Sequence, residues 1–111
     1  HQLRRLALRT THGLGRTGAT SGNGSGDIAI AFSTANAGAA AERDAAQVSM
    51  VSNRRISALF TATAQATEEA IINSLIAAET MTGANKSRRF AIPHDRLKAV
   101  LEKYGRLVEG R

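Results

Sequence analysis

The sequence of 111 residues contains no cysteine and no tryptophan, and it has only one proline, one tyrosine and three phenylalanines. The absence of cysteine excludes disulfide bonds and zinc sites built on thiolate ligands. Because alanine supplies much of the 42% hydrophobic content, few large side chains are left to anchor an independent core. We therefore expect residues 1–111 to form a single, partial domain of a larger protein, with a frayed tail at residues 106–111.

Long hydrophobic runs are also missing. No stretch approaches the ~18 apolar residues needed to cross a bilayer, and the first residues lack the charged-then-apolar pattern of a signal peptide. We expect a soluble, cytoplasmic protein that binds no membrane. His1, His12 and His94 lie far apart and have no ligand spacing, so we expect neither a metal ion nor another cofactor.

Positive charge is in excess, with fifteen lysines and arginines against nine acidic residues and a formal net charge of +6. Such an excess is typical of nucleic-acid-binding proteins. The basic residues are, however, spread along the chain, and aromatic residues do not alternate with them to stack bases. A surface that faces an acidic partner chain explains the charge as well. Nucleic-acid binding therefore remains the weaker hypothesis.

The stretch Gly22-Asn23-Gly24-Ser25-Gly26-Asp27 is the best candidate for a functional site. Glycine at every second position lets the backbone reach conformations closed to other residues, and it removes side chains that would keep a substrate away. Ser25 and Asp27 add a hydroxyl and a carboxylate to this open backbone. A flexible polar loop is the alternative interpretation.

Residues 28–34 follow this stretch, and Ile28, Ile30 and Phe32 alternate there with smaller residues. This alternation predicts a strand with one buried face, which would place the preceding hydroxyl and carboxylate at the mouth of a buried strand. Residues 48–51 are predicted to form another short strand.

Three helices are expected from the 3.6-residue period. Residues 1–12 predict a helix that Gly13 ends. A longer helix follows the N-cap candidates Ser52-Asn53 and continues to about Gly83, and apolar residues on two sides of its second half predict burial from more than one direction. The last helix is predicted to begin at Pro93 and to stop at Gly105.

Two glycine-containing stretches resemble phosphate-binding motifs but lack the required context. Residues 13–18 have the glycine spacing of a dinucleotide-binding fingerprint, but a helix precedes them where the fingerprint requires a strand. Residues 83–87 resemble the end of a phosphate-binding loop, yet the glycines before the lysine and the preceding strand are missing. We expect neither motif to bind phosphate, and we expect Ser87-Arg88-Arg89 to form a basic loop.

Several blocks of sequence, taken together and in order, closely resemble the C-terminal part of the L-aminopeptidase/D-amidase-esterase and β-peptidyl aminopeptidase family. The resemblance covers nearly the whole chain. The blocks are His1–Leu6, Gly15–Gly18, Asn23–Asp27, Ala31–Asn36, Ala66–Ile71, Ala78–Gly83 and Pro93–Leu97.

This resemblance implies an α/β fold, namely part of an αββα sandwich in which a long helix packs on a mixed or antiparallel sheet. It also implies a precursor that cuts itself into two subunits, of which the second opens with a nucleophilic serine. The free α-amine beside that hydroxyl can serve as its base. The implied activity is hydrolysis of the amino-terminal residue from peptides, amides or esters. The implied partners are the first (α) subunit and further copies of the paired subunits.

The resemblance also implies roles for the glycine-rich stretch. Ser25 would hydrogen-bond the nucleophile and relay a proton, and Asp27 would orient the group and balance the charge of the protonated amine. Asn23, Gly24 and Gly26 would contact the substrate. Asp27 is shorter than the glutamate that some relatives carry at this position.

The family's nucleophile lies upstream of the block that matches residues 1–6, so we expect this chain to be inactive alone. A non-catalytic binding or structural fragment that pairs with another chain is the alternative.

Overall fold

The structure is a computed structural model that describes residues 1–42 and 44–107. Helices and a small antiparallel sheet make up its regular secondary structure, in agreement with the predicted α/β class. The elements are α1 (Gln2–Ala7), α2 (Thr10–Arg16), α3 (Ile56–Ala77), β1 (Met81–Thr82), β2 (Arg88–Arg89) and α4 (His94–Lys103). The chain divides into two compact units, His1–Glu69 and Ala70–Arg111, which are described separately.

The beginning of the first unit is helical, but the prediction of one helix ended by Gly13 is wrong. A turn at Leu8 and Arg9 separates α1 from α2, and α2 continues through Gly13 to Arg16. Gly18 follows the Thr17 C-cap of α2, and its φ of +92° suits a residue without a Cβ atom. Here the Gly18 N–H donates to the Gly15 carbonyl at 3.1 Å, a bond of the Schellman motif.

Gly13 lies where α2 meets α3, and it is buried. A Cβ atom at this position would lie 2.5 Å from Cβ of Thr67 and 2.6 Å from the carbonyl oxygen of Ala64. The two helices therefore approach too closely for any larger residue. An ion pair of 2.7 Å between Arg16 Nε and Glu68 Oε2 joins the same helices. The glycines of residues 13–18 thus serve a helix contact and a helix end, and they do not form a dinucleotide-binding loop.

The predicted long helix is present as α3, although it ends at Ala77 and not near Gly83. Met81 and Thr82, which the prediction placed in this helix, pair instead with Arg89 and Arg88. Among the described residues, the buried hydrophobic side chains are Ile56, which is 2% exposed, and Ala64. The prediction that the second half of α3 is buried from more than one direction is wrong within the described ranges, because Ile72, Leu75 and Ile76 are 44%, 52% and 44% exposed.

Residues 28–34 and 48–51 form no paired strand, contrary to prediction. Ile28, Ile30 and Phe32 are 94%, 85% and 82% exposed. A strand requires a neighbour to pair its backbone groups, and the described part of the chain supplies none here. The segments are joined instead through Asn36, whose side-chain amide donates to the Ser49 carbonyl at 3.1 Å and accepts from the Ser49 N–H at 2.7 Å.

The second unit contains a β-hairpin where a basic loop was predicted. Met81 lies opposite Arg89 in an antiparallel pair. The connecting turn has Asn85 and Lys86 at φ of 56° and 60°, as in the type I′ turns that join twisted strands. The Ser87 N–H closes this turn on the Ala84 carbonyl at 3.1 Å.

The last helix agrees with its prediction. Pro93 precedes the first helical residue of α4, and Asp95 lies in the first turn, where a negative charge is favoured. Gly105 ends the helix with a φ of +60°, and the Arg106 N–H donates to the Leu101 carbonyl at 2.8 Å. Of the predicted frayed tail, residues 108–111 lie outside the described ranges.

Substitution by alanine is expected to have opposite effects on the free energy of unfolding at two glycines of α2. We expect Gly13→Ala to lower the free energy of unfolding by ~1–3 kcal/mol, because the new methyl group collides with the α3 backbone. We expect Gly15→Ala to raise it by ~0.5–1 kcal/mol, because that position is open and alanine favours a helix. Urea unfolding of both variants measures the difference, and equal effects would contradict the helix contact.

Candidate functional site

The glycine-rich stretch, residues 22–27, lies on the surface of the first unit. The Ser25 N–H donates to the Gly22 carbonyl at 2.9 Å and closes a turn that has Asn23 and Gly24 at its centre. All residues of the stretch are exposed. The backbone therefore holds Ser25 at the end of a defined turn, and Asp27 follows where the chain runs into residues 28–34.

The side chains of Ser25 and Asp27 are both open to solvent. Within residues 1–42 and 44–107, neither the hydroxyl nor the carboxylate takes part in a side-chain hydrogen bond or an ion pair. The predicted position at the mouth of a buried strand is not formed, because residues 28–34 have no strand partner. Both polar groups are instead accessible to a ligand or to another polypeptide.

The glycines of this stretch are not needed for unusual backbone angles. None of Gly22, Gly24 and Gly26 has a positive φ. Apart from the adjoining residues, a Cβ atom at any of them would meet no atom of the described residues within 4 Å. The prediction that these glycines reach conformations closed to other residues is therefore wrong. Close approach by a molecule outside this chain remains the predicted reason for them.

A groove of about 670 Å³ lies elsewhere in the first unit, and residues 22–27 do not line it. Its volume falls in the range of small-molecule sites. The lining comes from segments that are distant in sequence, so the sequence does not predict the groove. The local signals are the apolar residues of 28–34 and 48–51, which contribute Phe32 and Val48 to it. Most of the lining is apolar, and it includes Leu3, Leu6, Phe32, Val48, Met50 and Leu59. An apolar groove of this kind can take a ligand or the side chains of another polypeptide.

The histidine and acidic side chains of the described ranges form no cluster of three that could hold a metal ion. Across those ranges, every helix is too short or too polar to span a bilayer.

Curated relatives match the whole chain. The β-peptidyl aminopeptidase BapA of Sphingosinicella microcystinivorans is 46% identical over 112 residues, covering 100% of this chain. BapA of Sphingosinicella xenopeptidilytica is 43% identical and covers 92% of it. The chain spans only 28% and 26% of the length of these two relatives. It is thus similar to less than a third of each.

Solved structures share the fold. The PH0078 protein of Pyrococcus horikoshii OT3 superposes with a TM-score of 0.88 at 49% identity, over 96% of this chain and 30% of that protein. The L-aminopeptidase D-Ala-esterase/amidase of Ochrobactrum anthropi superposes with a TM-score of 0.85 at 45% identity, over 97% of this chain and 31% of that one. The latter is described as a prototype of the serine aminopeptidases and a variant of the Ntn hydrolase fold.

These matches confirm both the α/β fold class and the resemblance seen in the sequence. Residues 1–89, which include the glycine-rich stretch, match the family described as Peptidase family S58. The chain therefore belongs to peptidase family S58.

Proposed function

We propose that this chain is part of a self-cleaving serine aminopeptidase that removes the amino-terminal residue from peptides, amides or esters. The observation that carries the proposal is the 46% identity to a β-peptidyl aminopeptidase along the entire chain. The similarity to an L-aminopeptidase D-Ala-esterase/amidase supports the same reaction class. The substrates common to these names have an acyl group joined to an amine or an alcohol.

In the proposed mechanism the nucleophile is a serine at the start of the second subunit, upstream of residue 1. Its hydroxyl oxygen attacks the substrate carbonyl, while its proton moves to the free α-amine of the same residue. The proton then passes to the leaving amine or alcohol, which departs as the acyl-enzyme forms. A water oxygen then bonds to the acyl carbon, and the water gives a proton to the same amine. The ester bond to serine breaks, the acid leaves, and the amine returns the proton to the serine oxygen.

We propose that Ser25 and Asp27 assist these proton transfers. The Ser25 hydroxyl can accept a proton from one neighbour and donate to another, so it links the nucleophile to its base. The Asp27 carboxylate stabilises, by its negative charge, the ammonium group that forms when the base is protonated. Support comes from their exposure, because neither group is engaged by the described residues. Asn23, Gly24 and Gly26 contact the substrate in this proposal.

The proposal requires a second polypeptide, the α subunit of the same precursor. Ile28, Ile30 and Phe32 expose a row of apolar side chains, and the second half of α3 is exposed as well. Exposed apolar surface of this kind, in each unit, is typical of an interface. We also propose that the paired subunits assemble into a homo-oligomer. The alternative, a non-catalytic fragment that pairs with another chain, is favoured by these exposed faces alone.

The site residues are tested by substitution in the active, assembled protein. We expect Ser25→Ala and Asp27→Asn each to lower kcat/KM for an amino-acid p-nitroanilide by ~10²–10⁴-fold, the usual contribution of a positioned proton-transfer group. The melting temperature should change little, because neither side chain packs against the described residues of this chain. Ser21→Ala is the matched control, since Ser21 is an exposed serine just before the same turn, and it should retain full activity. Full activity of both site variants would refute their roles.

The role of the turn backbone is tested separately by Gly24→Ala. The free energy of unfolding should stay the same or rise by up to ~1 kcal/mol, because the chain leaves room for a methyl group and alanine restricts the unfolded state. The value of kcat/KM should fall at least tenfold, because the methyl group blocks the approach of the substrate. Thermal unfolding and steady-state kinetics measure the two effects. Unchanged kinetics would remove Gly24 from the substrate site.

A further inference from the structure

Two arginine side chains cover one aromatic ring in the first unit. Cζ of Arg5 lies 5.0 Å from the centre of the Phe60 ring, and Cζ of Arg9 lies 4.4 Å from it. Phe60 belongs to α3, Arg5 to α1, and Arg9 to the turn before α2. Arg5 Nη1 also donates to Asn53 Oδ1 at 3.2 Å. The ring and the amide oxygen hold these guanidinium groups in place, while most of their N–H donors stay available.

The two guanidinium groups repel each other, because they share one ring and lie within about a Debye length (~10 Å). Within the described ranges neither forms an ion pair with a carboxylate. Glu68 lies about two turns (~12 Å) farther along α3 and is engaged by Arg16 at 2.7 Å. Arg54 and Arg55 are exposed just before α3 and add further positive charge. A negative group from outside the chain would offset this repulsion.

The guanidinium groups of Arg5 and Arg9 and their apolar neighbours indicate which kind of negative group would bind. A guanidinium offers parallel N–H donors that match the two oxygens of a carboxylate. Leu8, next to Arg9 in sequence, and Leu59, next to Phe60, are exposed hydrophobic residues. Arginine with apolar neighbours is typical of protein interfaces. A single-stranded nucleic acid would instead use open aromatic rings for stacking, and both arginines cover the ring here.

We propose that Arg5 and Arg9 form a docking site for carboxylate side chains of an acidic partner polypeptide outside residues 1–111. The net charge of +6 makes this chain complementary to such a partner. The site is separate from residues 22–27, and the test below reads association and not hydrolysis. Its outcome is therefore independent of the proposed peptidase activity.

The experiment uses Arg9→Lys in the protein as purified with its natural partners. A carbodiimide activates carboxylates and joins them to a touching amine as an amide, with loss of water. We expect mass spectrometry of the digested protein to show a cross-link from position 9 to an aspartate or glutamate outside residues 1–111. Its yield should be at least fivefold that of Arg106→Lys, an exposed control in the second unit, and 0.5 M NaCl should suppress it.

A second variant keeps the test decisive if lysine at position 9 perturbs the fold, which circular dichroism would reveal. Arg5→Gln combined with Arg9→Gln should weaken association with the partner at least tenfold in sedimentation velocity at 0.1 M NaCl, whereas Arg106→Gln should leave it unchanged. No cross-link, a cross-link only to acidic residues within 1–111, or unaltered association would overturn the proposal. Bound nucleic acid that the double variant loses would also overturn it, in favour of a phosphate ligand.

Discussion

The described part of this chain buries very little hydrophobic surface, and the rest of its structure depends on that constraint. Ile56 is almost fully buried and Ala64 nearly so, whereas apolar residues such as Ile30 and Phe32 stand in solvent. Burial of apolar surface is the main favourable term in folding, so a chain that leaves so much of it exposed gains little stability from its own core. The close packing of Gly13 on α3 compensates in part. Surfaces that this chain leaves open are the ones that a larger protein would cover.

The same constraint explains the state of the candidate site. A catalytic group must be held in place by neighbours, and the side chains of Ser25 and Asp27 have none within the described ranges. The backbone turn at Gly22 fixes where the stretch begins, and the open glycines leave room for an approaching molecule. In the proposed function, this chain supplies only part of the site, and the remaining groups lie outside residues 1–111. The relatives that it matches are more than three times as long as this chain.

Sequence reasoning succeeded where local signals decide the structure. Pro93 and Gly105 fixed the two ends of α4, because a proline favours a first turn and a left-handed glycine closes a last one. Predictions from the sequence failed where contacts with residues distant in sequence determine the structure. Gly13 was expected to end a helix, yet it lies inside one because α3 requires a residue without a side chain. The hairpin was missed because Lys86 adopts a backbone conformation usually left to glycine or asparagine. The strand at residues 28–34 was predicted from alternation alone, but alternation cannot supply a partner strand.

We propose that this chain belongs to a self-processed enzyme of paired subunits. Intact mass spectrometry of the active protein under denaturing conditions tests it most directly. We expect two polypeptides, of which the one containing residues 1–111 is extended upstream and begins with serine. A single uncleaved polypeptide with full aminopeptidase activity would contradict the account, and so would a lone 11.7 kDa species that hydrolyses the substrate unaided.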